Sequence, residues 1–225
     1  MFSKPNHKME FDSSDIKFKS PFTMNIIGPS KCGKTSLVSD LLENNETMIC
    51  PSPQKILYCY SLYQTLFEYL KEKIHNIEFI KGLPNIDEIS NCLLILHDLG
   101  QDCIDNKDIV LLFTVGSHHR NISVILLTHN IFEKGKYMRT ISLNCSYLII
   151  LNNLRDRKQI KFLGTQLFPG ETKYFEEILE DAFKSQEHGF LIIDLLPTTV
   201  NELRLRYFDF KKEKAFVYLK NKFLF

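Results

Sequence analysis

Residues 28–35 read Gly28-Pro29-Ser30-Lys31-Cys32-Gly33-Lys34-Thr35, which fits G-x-x-x-x-G-K-[ST]. An apolar run precedes the motif and a helical pattern follows it, the context a phosphate-binding loop needs. Gly28 and Gly33 permit the backbone turns that aim successive N–H groups at an anion. Pro29, Ser30, Lys31 and Cys32 form the wrap between them, and Ser36 continues into the helix whose positive end adds to the attraction. Lys34 is placed to reach terminal phosphates and Thr35 to offer its hydroxyl to Mg²⁺. The expected ligand is a nucleoside triphosphate with Mg²⁺.

Hydrolysis further requires a carboxylate near the metal and the attacking water. Asp98 is the candidate, the first carboxylate beyond the apolar run Leu93-Leu94-Ile95-Leu96-His97. Ligands gather at that end of strands in open α/β sheets. Asp98 is expected to orient the metal or activate water, with Asp102 a distant second. His97 is the anomaly, because neutral imidazole suits zinc-like metals whereas Mg²⁺ takes hard oxygen.

The elements that must hold these groups follow from the beat of the chain. Short apolar runs at 22–27, 55–60, 77–80, 92–96, 122–127 and 147–151 alternate with helical patterns at 34–42, 63–74 and 106–118. Apolar runs of that length suit strands buried on both faces, and the helices between them imply right-handed crossovers in a parallel sheet. The expected class is doubly wound α/β, a P-loop NTPase with a mainly parallel central sheet flanked by helices. Beyond 153 the pattern becomes two helices, 156–168 and 172–184, and two strand-like runs, 190–195 and 203–210, read as additions to the same sheet. The expected division is an N-terminal arm or lead-in strand at 1–20, the NTPase domain at 21–210 and a basic C-terminal tail at 211–225.

Composition limits the remaining possibilities. With 44% hydrophobic and 24% charged residues the chain is neither disordered nor fibrous. No apolar run approaches the roughly 20 residues of a membrane span, and the first residues lack a signal-type apolar segment, so the expected setting is intracellular. Six cysteines without a Cys-x-x-Cys pair read as reduced thiols. A net charge of +1 announces no nucleic-acid partner, although a local basic surface is compatible with it. All six arginines, Arg120, Arg139, Arg155, Arg157, Arg204 and Arg206, fall in the second half.

Several segments together resemble a known group. Phe22 to Ser30 with the phosphate loop, Ser117 to Ile125, Gly135 to Asn144, Arg155-Asp156-Arg157, Phe168-Pro169-Gly170, Pro197-Thr198-Thr199 and Leu203-Arg204-Leu205-Arg206 are similar, in order, to segments of the genome-packaging ATPases of the FtsK-HerA superfamily. The nearest likeness is to the proteins of Polinton (Maverick) elements, adintoviruses and poxvirus-type viruses. The resemblance implies a RecA-like, additional-strand core, ATP and Mg²⁺ as cofactors, and a homo-oligomeric ring that drives double-stranded DNA into a capsid. The implied partners are that DNA and capsid or portal proteins, with no membrane. The implied setting is an infected host cell, nucleus or cytoplasm left open, with transient capsid association.

The resemblance also distributes roles. The family ends its acidic strand with two carboxylates, a metal-side one and a water-polarising one; here the pair is His97 and Asp98, so Asp98 maps to the base. At the end of the next strand, where the family carries a glutamine that senses the γ-phosphate, this chain has His129. Arg120 corresponds to the arginine finger offered to a neighbouring subunit, with Arg155 and Arg157 as runners-up. Lys134, Lys136 and Arg139 are candidates for DNA phosphate contact in a ring pore, a solvated loop being their other reading. Histidine at two catalytic-edge positions leaves a second function open: a catalytically weakened nucleotide-binding subunit or interaction module of a packaging complex. A small P-loop kinase is a third, more remote alternative.

Overall fold

The computed structural model describes residues 8–219. In chain order its strands are β1 (Lys8–Asp12), β2 (Phe18–Lys19), β3 (Thr23–Ile27), β4 (Ile49–Cys50), β5 (Ile56–Tyr60) and β6 (Ile77–Lys81), then β7 (Cys92–His97), β8 (Ile122–Thr128), β9 (Tyr147–Leu151), β10 (Phe190–Asp194), β11 (Leu205–Asp209) and β12 (Lys214–Tyr218). Ten of them form one sheet in the order β1-β12-β11-β10-β9-β3-β8-β7-β5-β6, and β2 pairs with β4 in a separate small sheet.

The pairs from β9 through β3, β8, β7 and β5 to β6 are all parallel. Every residue of β3, β7, β8 and β9 is buried, which is why these strands read as continuous apolar runs rather than alternations. Helix α1 (Lys34–Glu43) leads away from β3 and buries Leu37, Val38, Leu41 and Leu42. The expected α/β class with a large, mostly parallel sheet is what the chain forms.

Beyond β9 the sheet changes direction. One helix between strands returns the chain to a parallel start, whereas two helices in succession turn it once more. The helices Arg157–Leu167 and Thr172–Lys184 make this second turn, and β10 therefore runs antiparallel to β9. Their close approach depends on Gly164, where a Cβ would lie 2.3 Å from Cδ1 of Phe175. The pairs β10–β11, β11–β12 and β12–β1 are antiparallel as well.

The basic tail expected from 211 onward is thereby corrected, and the start of the chain supplies a strand. Residues 8–12 and 214–218 pair with each other as β1 and β12, from Lys8 opposite Tyr218 to Asp12 opposite Lys214. Ala215, Val217 and Tyr218 are buried, so the "basic tail" supplies part of the core. The lysines mask the alternation in sequence; Lys214 points outward to Asp12 at 2.8 Å and Glu10 at 3.5 Å. Residues 1–7 of the arm and 220–225 of the tail, including Lys220 and Lys222, lie outside the described residues. The single helix expected at 106–118 is in fact Lys107–Leu111, a π-helical stretch Leu112–Gly116, and Ser117–Arg120. Among the described residues no helix is long and apolar enough to cross a membrane.

The added strands carry a buried ion pair. Arg206 (1% exposed) donates from Nη1 to Oδ2 of Asp194 (3% exposed) at 3.0 Å and lies 6.0 Å from the ring centres of Phe18 and Tyr147. Removing one member strands the other charge away from water, which costs about 3–5 kcal/mol. Asp194→Ala is therefore expected to destabilise the fold by about that amount. Chemical denaturation reads the loss, and a change within about 0.5 kcal/mol, typical of a surface substitution, would contradict it.

Candidate functional site

Parallel pairing sets the site. Ile27 of β3 stands beside Thr128 of β8, and Leu96 of β7 beside Leu126, so the residues following all three strands emerge at one edge of the sheet. These are Gly28, Asp98 and His129. Gly28 N–H donates to the carbonyl of Thr128 at 3.1 Å, tying the start of the phosphate loop to the next strand.

The loop takes the shape its residues foretell. Gly33 sits at φ 102° and Lys31 at φ 65°, both in the left-handed region. A Cβ at Gly28 would fall 2.6 Å from the Cys32 sulfur. Lys34 is 6% exposed and its Nζ donates to the carbonyls of Gly28 at 2.5 Å and Pro29 at 3.1 Å. Burial pulls its pKa below the ordinary lysine value, against the opposing influence of Cys32, Asp98 and Glu133. An ammonium stripped of water and held only by neutral carbonyls is suited to take phosphate oxygens.

A cavity of about 350 Å³ opens in front of the loop, and its lining includes Ser30, Lys31, Gly33, Lys34, Thr35 and Ser36. His97, Asp98 and His129 face the same cavity, so the structure brings together most of the sequence-predicted site. Gln64, from the segment after β5, and His188, just before β10, also line it and were not foreseen. No local motif marks either residue; only the topology carries them there. Asp102 is exposed and does not line the cavity.

His97 is buried and held at both ring nitrogens. Its Nδ1 lies 2.9 Å from the hydroxyl of Tyr58, a partner invisible in the sequence. Its Nε2 lies 3.3 Å from Oδ2 of Asp98 and 3.4 Å from Oγ1 of Thr35. Burial drives the Tyr58 phenol pKa well above its usual value, so the phenol keeps its proton. With Tyr58 O–H donating to Nδ1, the remaining ring proton sits on Nε2 and faces two acceptors, an arrangement that leaves no buried donor unused. Burial also lowers the His97 pKa, with Asp98 opposing and Lys34 and His129 reinforcing, so the ring is neutral at pH 7. His97 thus stands where it can hydrogen-bond the Thr35 hydroxyl but brings no hard oxygen.

Asp98 has φ 51°, a conformation non-glycine residues adopt at a cost. This turn places its carboxylate between two imidazoles, with Oδ1 3.9 Å from Nε2 of His129. The carboxylate is 43% exposed on the cavity side. His129 is half exposed, and its backbone N–H donates to Oε2 of Glu133 at 2.9 Å, which pins the loop after β8.

The residues fit a triphosphate and a hard cation. A glycine-permitted backbone cradle, a desolvated ammonium, one threonine hydroxyl and one open carboxylate are the donor set such a ligand requires. No group of three or more His, Cys, Asp or Glu side chains among the described residues is arranged to hold a metal ion by itself. Mg²⁺ would therefore be held by Thr35, Asp98 and oxygens of nucleotide and water, as is usual for that ion.

Other predicted residues stand apart. Arg120 precedes β8, at the opposite end of a seven-residue strand from His129; at strand rise that is roughly 20 Å. It donates from Nη2 to Asp87 at 2.7 Å and from Nη1 to the Ile86 carbonyl. Lys134, Lys136 and Arg139 are exposed on the segment after β8, with the Lys136 N–H bound to Asp105 at 2.6 Å. Arg157 is paired with Glu180 on the neighbouring helix, and Arg155 is exposed.

Fold and site together are those of a P-loop NTPase. Among solved structures the chain is similar to the genome packaging NTPase B204 from Sulfolobus turreted icosahedral virus 2 in complex with ATP-gammaS. That likeness has a TM-score of 0.50 and 13% identity over 80% of this chain and 95% of that one. The same protein in complex with AMP gives 0.49 and 12%, covering 84% and 98%. The KaiC-like protein PH0186 from Pyrococcus horikoshii OT3 gives 0.49 and 12%, covering 95% and 100%. No protein-family model matches the chain, and no curated protein does. At these identities the likeness to the first structure shows the fold.

The depressed His97 pKa has a thermodynamic consequence. An unfolded histidine titrates near pH 6.5, so as pH falls below about 6.5 the unfolded chain gains a proton that folded His97 resists, and stability is lost. Between about pH 7 and pH 5 the native chain should therefore lose stability more steeply than His97→Asn. Parallel denaturation midpoints in the two proteins would contradict this.

Proposed function

We propose that the chain is an ATPase of a genome-packaging motor, which hydrolyses ATP to move double-stranded DNA into a viral-type capsid. The observation that carries the reading is the meeting of Lys34, Thr35, Asp98 and His129 in one cavity at the C-terminal edge of a parallel sheet. The fold shared with a packaging NTPase and the ordered resemblance of its segments support it.

In this reading the backbone of residues 28–35 and Ser36 grips the phosphates, and Lys34 exchanges the Gly28 and Pro29 carbonyls for phosphate oxygens. Thr35 and Asp98 would hold Mg²⁺, which would supply charge neutralisation at the transferring phosphoryl group. Asp98 accepts the proton of the attacking water at its cavity-facing carboxylate. His97, locked by Tyr58, orients both the Thr35 hydroxyl and that carboxylate. His129 reads the presence of the terminal phosphate and passes it through its Glu133-pinned loop to the 134–139 segment, where Lys134, Lys136 and Arg139 touch DNA phosphates.

Arg120 cannot serve its own chain's nucleotide across the length of β8. It is available to a neighbouring copy in a ring once released from Asp87, and a guanidinium there would neutralise charge on the γ-phosphate. Capsid or portal proteins are the remaining proposed partners. A second reading, a nucleotide-binding subunit with weakened turnover, is favoured by the imidazole at position 97.

Turnover of purified protein with and without linear duplex DNA separates the two. The motor reading expects DNA-stimulated hydrolysis that falls at least about 100-fold in Lys34→Ala, the size of loss typical when an electrostatic clamp is removed. His97→Asp should lower the native turnover rather than raise it. Absence of turnover in the native chain, with a gain in His97→Asp, would establish the weakened subunit instead. For Arg120→Ala a loss of roughly 1,000-fold is expected, partly rescued by mixing with Lys34→Ala subunits, because only mixed interfaces can pair an intact loop with an intact finger. No rescue on mixing would remove Arg120 from that role.

A further inference from the structure

The antiparallel return of β10 and β11 has a consequence for the nucleotide. It brings the start of β10 and the end of β11 to the same edge as the phosphate loop, on the side of α1 away from Asp98. A second cavity of about 400 Å³ lies there, between Leu37 and Asp40 of α1 and the residues Gln186, His188, Phe210 and Lys211. It shares Gly33, Ser36 and His188 with the phosphate cavity, so the two are neighbours across one wall of side chains.

Resting on the triphosphate reading above, we propose that this second cavity is the nucleoside subsite, that His188 stacks on the base, and that the subsite selects a purine bearing an exocyclic amine, adenine rather than hypoxanthine. Phosphates anchored on residues 28–36 leave ribose and base to continue past Ser36. The Asp98 side is occupied by the groups that face metal and water, whereas the His188 side is open. His188 is itself exposed and at φ 57°, a left-handed conformation that costs free energy unless its surroundings impose it. It rests directly on the loop: a Cβ at Gly33 would lie 2.6 Å from Cβ of His188, so the histidine and the second loop glycine require one another.

The rim supplies acceptors, and Lys212, which also lines it, is committed to Asp209 at 2.8 Å. Gln186 commits its amide nitrogen to the Phe208 carbonyl at 3.1 Å, which leaves Oε1 to accept. The Asp40 carboxyl, exposed at the rim, has its pKa raised by partial desolvation and by like-charged Glu43, with Lys211 opposing, so a donor from a ligand would be welcome there. Adenine presents an amine where hypoxanthine presents a carbonyl, and a site built to accept hydrogen bonds rejects the carbonyl. Leu37 and Phe210 provide apolar surface for the ring.

Calorimetric titration with ATP, ITP and inorganic tripolyphosphate tests this. The native chain should bind ATP at least about 10-fold more tightly than ITP, since misplaced acceptors cost that much or more. His188→Asn, which tolerates the left-handed backbone, should weaken ATP roughly 10-fold more than it weakens tripolyphosphate, the size of a lost stacking contact. Asp40→Ala should narrow the ATP-to-ITP ratio. ATP and tripolyphosphate weakening together in His188→Asn, or ATP and ITP unchanged in both variants, would overturn the subsite while leaving the phosphate loop intact. Undiminished binding of tripolyphosphate by Lys34→Ala would instead overturn the triphosphate reading, and this one with it.

Discussion

Parallel hydrogen bonding of β3 with β8, and of β8 with β7, is the constraint on which the site depends. Because these strands share direction, every residue that follows them appears at one edge, and a loop, a carboxylate and a histidine far apart in sequence become neighbours. Burial on both faces fixes the register, since a slip would break the ladder bonds of wholly buried strands without offering any water to the freed groups. The Gly28 N–H to Thr128 bond continues that ladder into the loop itself. Lys34 is then held in low dielectric beside two carbonyls, and its affinity for phosphate follows from what it has lost in solvation.

The resemblance implies a metal-side carboxylate at the strand end where this chain has His97. A metal-side carboxylate would accept the Thr35 hydroxyl proton; neutral His97, with Tyr58 donating to its other nitrogen, donates to Thr35 and Asp98 instead. The direction of the hydrogen bonds is reversed while the spacing is kept. Asp98 is then the one carboxylate at this strand end, and its left-handed turn keeps it between two imidazoles rather than against the sheet. A site of this kind relies more on nucleotide oxygens and water to satisfy Mg²⁺ than one with two carboxylates.

Much of this was legible in the sequence, and the reasons are physical. The phosphate loop is a local motif whose glycines have backbone duties, so its position and its flanking strand and helix could be read directly. Buried parallel strands announce themselves as apolar runs, which located β3, β7, β8 and β9. Strand direction leaves no such trace: the runs that became β10 and β11 look like those that became β8 and β9, and only two consecutive helices reverse them. Lys211, Lys212 and Lys214 disguised β12 as a solvated tail, because the first two lie in the turn before the strand and Lys214 pairs outward with Asp12 and Glu10. Tyr58, Gln64, Glu133 and His188 reach the site through tertiary neighbours or loop geometry that no spacing rule encodes. The place of Arg120, at the far end of β8, was implicit in the expectation that it precedes that strand.

The most direct test is a structure of the chain with Mg²⁺ and a non-hydrolysable ATP analogue. The account predicts Lys34 Nζ on β- and γ-phosphate oxygens instead of the Gly28 and Pro29 carbonyls, with Thr35 and Asp98 on either side of the metal and His97 still bonded to Tyr58. An analogue bound elsewhere, with Lys34 unmoved and Asp98 turned from the ligand, would contradict it.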